Sequence, residues 1–239
     1  MNHTSMKVLA ALAIAGAVAV AGADSTAAPD GGAVAAGDSI AAGGARQAGS
    51  IADAAGTVQI QRGGQPQNAA AGSAVAAGDV VRVGDKANAQ LRMADNAMFV
   101  LGSGTDFRIA DYSYNGSGSL GEARPPASAR YQLDRGVLRT VTGTLGKQSG
   151  DTYLMVAPEA DVKPHGTDFA LQVGNGLLVI VYNGSVTVSN DTGGIIVNAG
   201  QFIFVASRKS PLRVGDVSMD VKVPIILNLP PLPGSASPS

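Results

Sequence analysis

Cysteine is missing from the chain altogether. Disulfides, thiol nucleophiles and cysteine-ligated metals are excluded with it. Tryptophan is missing too, and five tyrosines and five phenylalanines are the only aromatics in 239 residues. That is too few for a track of stacking platforms along a nucleic acid strand. Charge is equally sparse: 17 Lys and Arg against 18 Asp and Glu leave a formal net charge of -1. With no basic field to attract a phosphate backbone, nucleic acid is not an expected partner. Histidine occurs twice, as His3 and His165, which leaves zinc short of ligands. Neither an Asp-x-Asp-x-Asp-Gly calcium loop nor a Walker loop occurs, so no metal or cofactor is expected.

What is present begins with "MNHTSMKVLAALAIAGAVAVAGADS". Lys7 supplies a positive n-region, residues 8 to 20 an apolar h-region, and Ala21-Gly22-Ala23 a small-x-small cleavage pattern. The reading is a signal peptide over 1–23, cleaved after Ala23, and a periplasmic or secreted protein. The apolar run is Ala- and Gly-rich and falls short of the ~20 strongly apolar residues that a stable span needs. Residues 24–55 are mostly Ala, Gly, Asp and Ser, a composition that reads as a linker because it offers little to bury.

From Gly56 the texture changes to short alternating runs about every ten residues, each bounded by Gly, Asn, Asp or Pro: "TVQIQRG", "VVRVG", "AQLRM", "DFRIA", "TDFALQV", "LLVIVYNG", "SVTVSND", "FIFVAS". Val58 and Ile60 face one way, Gln59 and Gln61 the other. No stretch carries a 3.6-residue period, so the fold class is all-β, with short strands in a stacked solenoid-like or sandwich-like arrangement. "LLVIVY" is apolar on both faces, which places it centrally. Asn183-Gly184 after it suits a type I′ hairpin, and Asp191-Thr192-Gly193-Gly194 offers a second.

Residues 110–130, "ADYSYNGSGSLGEARPPASAR", interrupt the pattern and read as a loop insertion. Tyr112, Tyr114 and Tyr131 lie in or beside it and form the candidate interaction surface. The last segment, 207–239, is apolar and then proline-rich. Pro224, Pro230, Pro231 and Pro233 exclude a regular central strand there, leaving an extended cap over a sheet edge or a polyproline ligand for a partner.

The order of these motifs over residues 56–206 resembles the FecR-type domain of bacterial envelope proteins. The matching stretches are Gly56-Thr57-Val58; "GSAVAAGDVVRVG" with Gly78 and Asp79; "AQLRMADN"; Gly136-Val137-Leu138; "VAPEADVKPHGTDFALQV" with Pro158, Gly166, Thr167 and Phe169; "VIVYNGSVTVS" with Gly184; and "NAGQ" with Gly200. The resemblance implies a β-rich solenoid-like fold and an envelope location. The best-known members of that family regulate extracytoplasmic sigma factors through an N-terminal cytoplasmic segment. Seven residues before the apolar run are too few for one, so sigma-factor control by this chain alone is not expected.

His165 stands in "PHGTDF", in the turn before a strand in which Phe169, Leu171 and Val173 share one face. A solvated turn histidine is the expectation, not a catalytic base. Gly116-Ser117-Gly118 lacks the strand-to-helix elbow of a hydrolase nucleophile. Asp79, Asp85, Asp95, Asp106 and Asp168 sit at strand ends, where turn formation is their ordinary role. A carboxylate pair for glycoside hydrolysis is the alternative. The resulting expectation is a non-enzymatic cell-envelope interaction module, with a signalling accessory or sensor subunit as its finer version. It would act through a surface for an envelope protein, a glycan or its own copies, by shape complementarity and strand-edge pairing.

Overall fold

A computed structural model describes residues 47–114, 126–148 and 152–217, all within the unit Asp38–Ser239. The expected signal peptide lies outside the described residues. Seventeen strands follow one another: β1 (Gln47–Ala55), β2 (Val58–Arg62), β3 (Gln65–Asn68), β4 (Ala74–Ala76), β5 (Val80–Val83), β6 (Asn88–Met93), β7 (Met98–Leu101), β8 (Asp106–Ser113), β9 (Ser128–Val141), β10 (Tyr153–Val156), β11 (Asp161–Pro164), β12 (Asp168–Val173), β13 (Leu177–Asn183), β14 (Ser185–Asn190), β15 (Gly193–Asn198), β16 (Gln201–Val205) and β17 (Val214–Asp216). One 3-10 turn, Leu145–Lys147, is the remaining element, and no α-helix occurs among the described residues. The all-β reading holds.

The strands form two arrays that meet in β9. Array one runs β4-β1-β6-β7-β9-β12-β13-β16-β17. Array two runs β3-β2-β5-β8-β9-β10-β11-β14-β15. Every pairing is antiparallel except β9 with β10. Their inner faces bury one apolar cluster: Phe99 of array one lies 5.1 Å from Phe107 and 4.9 Å from Tyr131 of array two, centroid to centroid. Beyond β9 the chain lays down hairpins alternately in the two arrays: β10–β11, β12–β13, β14–β15, β16–β17.

Most layer crossings fall on glycines with positive φ, among them Gly56, Gly78, Gly104, Gly136, Gly166, Gly184 and Gly200, while the β5–β6 crossing carries Lys86 at φ 56°. At Gly136 the requirement is steric as well, because a Cβ there would sit 2.5 Å from Thr105 Cα. β9 bonds to β8 and β10 before this residue and to β7 and β12 after it. Its buried residues shift phase accordingly, from Ala129, Tyr131 and Leu133 to Leu138 and Thr140. A one-residue change of phase turns the other side of a strand inward, and here the crossing uses that shift to keep both halves facing the same core.

Four expectations are corrected. The linker assigned to 24–55 ends earlier, since Gln47–Ala55 is β1, with Ala48 and Ile51 in the core. Its small residues allow close packing: a Cβ on Gly49 would stand 2.4 Å from Arg92 O. Asn183-Gly184 is not a hairpin turn, because β13 belongs to array one and β14 to array two. The loop assigned to 110–130 is shorter, because β8 continues to Ser113 and β9 starts at Ser128, with Tyr112 opposite Ala129 and Ser113 opposite Ser128. Val214–Asp216 pairs with β16, so the tail assigned to 207–239 contributes β17. Residues from 218 onward, Pro224 to Pro233 included, lie outside the described residues. The second expected hairpin is present, with Asn190 opposite Gly193 across Asp191-Thr192.

Candidate functional site

The tyrosines named from sequence do not form a surface. Tyr131 is fully buried and Tyr112 is 6% exposed, while Tyr114 is half-buried against the same core. Tyr131 stands at the middle of the cluster, with the Tyr153 ring 5.2 Å and the Phe107 ring 5.5 Å away. Alternation carried the signal, since Ala129, Tyr131 and Leu133 share a face. The centre of the loop, 115–125, lies outside the described residues. Burial raises the Tyr131 phenol well above its ordinary pKa, and its hydroxyl has no hydrogen-bond partner among the described residues. Tyr131→Phe should therefore leave the unfolding free energy unchanged or raise it, by up to about 1–3 kcal/mol of relieved desolvation. A clear loss in a denaturant titration would contradict that environment.

The motif residues serve the corners. Gly78 has φ 89°, and the Asp79 carboxylate beside it is buried, accepting from Ala76 N at 2.8 Å and from Arg62 Nε and Nη2 at 2.8 and 2.6 Å. Gly166 and Gly184 are crossings in opposite directions that pack on one another: a Cβ on Gly184 would meet Gly166 O at 2.6 Å. Thr167, buried between them, donates its N–H to Thr142 Oγ1 and its hydroxyl to Ser185 O. Gly200 donates to Val181 O, Pro158 is exposed in the β10–β11 turn, and Phe169 is fully buried. His165 is exposed, with Nε2 2.8 Å from Thr187 Oγ1, so it is the turn residue expected.

Asp95 was read as a turn former, and it is also an interior group with 0% exposure. Its Oδ1 accepts from Ala97 N at 3.2 Å and Tyr112 Oη at 3.1 Å, and its Oδ2 from Leu145 N at 3.1 Å. One carboxylate thus ties the β6–β7 turn to β8 and to the 3-10 turn after β9. Burial first, then the Asp95 charge, pushes the Tyr112 phenol far above its ordinary pKa, so it stays a donor.

The surface with interface chemistry lies elsewhere, on the outer face of array one. Arg139 on β9 donates through Nε and Nη2 to the two Asp168 oxygens on β12 at 3.0 and 2.9 Å. Its guanidinium also lies 4.4 Å from the centroid of the Tyr182 ring on β13. The hydrogen bond to Asp168 is the chief cause of a raised Arg139 pKa. Val141 and Tyr182, 37% and 38% exposed, share this face. Phe204, 52% exposed, stands at the far end of β13 with its ring against Gly176, and Leu178 and Phe202 are half-buried on the same face. The sequence signal was available: "LLVIVY" and "FIF" are apolar on both faces, and a strand covered on one side only then shows its second apolar face.

On the outer face of array two, Asp111, Ser128, Arg130, Leu154 and Lys163 line a shallow recess of about 380 Å³. Ser128 Oγ donates to Asp111 Oδ2 at 2.8 Å. No group of three metal-ligating side chains occurs among the described residues, and no helix there is long and apolar enough to cross a membrane.

No protein-family model matches the chain, and no curated protein matches it. Two solved structures similar to it, at 2.50 and 1.65 Å resolution, are of a "putative anti-sigma factor" from Parabacteroides distasonis ATCC 8503. In each the identity is 16% and the TM-score 0.46, over 57% of this chain and 59% of the other.

Proposed function

We propose that the chain is a non-enzymatic, exported interaction module with a FecR-like β domain, acting as an accessory in envelope signalling through a protein partner. The observation that carries the binding role is the outer face of array one: a guanidinium fixed by Asp168 and stacked on Tyr182, with exposed Val141 and Phe204 on the same face. Tyr, Phe and Arg are the side chains enriched at protein interfaces, and a pre-ordered arginine loses little entropy on binding. The face is apolar with its charge already paired, chemistry that suits a protein surface better than a glycan. The ordered motifs from Gly56 to Gly200 support the FecR-like and envelope parts of the reading, and the leader-like residues 1–23 support export.

Photo-crosslinking tests this. A benzoylphenylalanine at Phe204, in the native envelope, should trap one discrete protein species, and the same probe at Gln67 on exposed β3 should not. Tyr182→Ala should reduce the Phe204 crosslink at least about tenfold, as loss of a hot-spot residue does. Equal labelling from both positions, or none from Phe204, would remove the basis of this assignment.

A further inference from the structure

Among the described residues the two arrays end in four edge strands, and three of them carry ordinary protection against pairing. β3 contains Pro66, and β4 and β17 are three residues long. Proline and shortness are standard ways of blunting an edge. β15 is six residues, Gly-Gly-Ile-Ile-Val-Asn, with no proline and no charge.

Its free side can be defined atom by atom. Asn190 lies opposite Gly193, and Ala199 N bonds to Gly184 O, so the backbone groups of Gly193, Ile195, Val197 and Ala199 point to β14. Those of Gly194, Ile196 and Asn198 point away. The Asn198 N–H is capped by Gln201 Oε1 at 3.0 Å. Among the described residues the outward N–H and C=O of Gly194 and Ile196 have no partner.

We propose that β15 pairs with β15 of a second copy of the chain, antiparallel about a two-fold axis at Ile195. In that register Gly194 faces Ile196 of the other copy, and each such pair exchanges two N–H···O bonds, four in all. The free groups on each strand are the ones this register uses. The side chains fit as well. Ile196 is 58% exposed on the outer face, and the residue set opposite it is a glycine without a side chain to collide with. Ile195, half-buried against the core, meets its own counterpart on the inner face and continues the apolar interior across the axis. No charge on either strand opposes the approach.

The test uses the purified chain in sedimentation equilibrium from about 1 to about 300 µM, the range in which small interfaces associate. Dimer is expected. Ile196→Pro removes the outward N–H and none of those that bond to β14, a change edge strands tolerate, and Ile196→Lys places like charges near the axis. Each should lower the dimer fraction at least tenfold with an unchanged far-UV spectrum, and the lysine variant decides the matter if the proline variant misfolds. With no native cysteine, Ile195→Cys should form an intersubunit disulfide on oxidation, since facing non-hydrogen-bonded Cα atoms lie about 4.5 Å apart. Val197→Cys, off the axis, should not. A monomer throughout the range, a dimer surviving Ile196→Lys, or crosslinking at 197 in preference to 195 would each overturn the proposal.

Discussion

Asp95→Ala should lower the stability of the domain by about 4 to 6 kcal/mol, read from the shift in denaturant midpoint at constant slope. The carboxylate is wholly buried, and its removal leaves Ala97 N, Leu145 N and the Tyr112 hydroxyl without their acceptor. Each hydrogen bond to a charged group contributes about 1.5–3 kcal/mol, and a donor stranded in the interior adds its own desolvation cost. Against a total stability of about 5–15 kcal/mol, such a loss can unfold the chain near room temperature. Asp95→Asn should fall between the two, because one amide oxygen still accepts while the NH2 group meets other donors. A loss below about 1 kcal/mol for the alanine variant would show that the β6–β7 turn and the 3-10 turn do not depend on this carboxylate.

Phe169→Ala should lose about 3–5 kcal/mol, the range for emptying a buried aromatic site. The ring is fully buried on β12, where Phe169 lies opposite Thr140 on one side and Val181 on the other. His165→Ala, four residues earlier, should stay within about 0.5 kcal/mol, because it gives up one exposed contact to Thr187. Comparison of the two unfolding midpoints reads the register of β12 directly. Equal and small losses would mean that Phe169 does not face the core.

The strands legible in the sequence were those whose alternation is strong. Phe169, Leu171 and Val173 were placed on one face, and all three are buried. β1 was not legible because Ile51 is its single large apolar side chain; the rest of its packing depends on Ala and Gly fitting closely against β6, which a hydrophobic pattern does not register. Asn183-Gly184 misled for a related reason. A hairpin and a layer crossing both call for left-handed backbone, and the dipeptide does not say whether the strands it joins share a sheet. Tyrosine content near a loop suggested a surface, yet Tyr131 follows the alternation of β9 into the interior. Arg139, Asp168 and Tyr182 come from three strands 29 and 14 residues apart in sequence, and only the β9–β12–β13 order brings them together.

β9 also determines how the chain can be assembled from its N-terminus. Strands β1 to β8 precede it, and β7 and β8 each present one edge that only β9 fills. The first half is therefore incomplete until residues 128–141 emerge. Once seated, β9 offers its opposite edge to β10 and β12, after which the β14–β15 hairpin builds on β11 and the β16–β17 hairpin on β13. Growth then has a direction within each array, toward β15 in one and toward β17 in the other. The last hairpin of each array has a neighbouring strand on one side only, which makes the place where construction stopped one from which the domain can loosen.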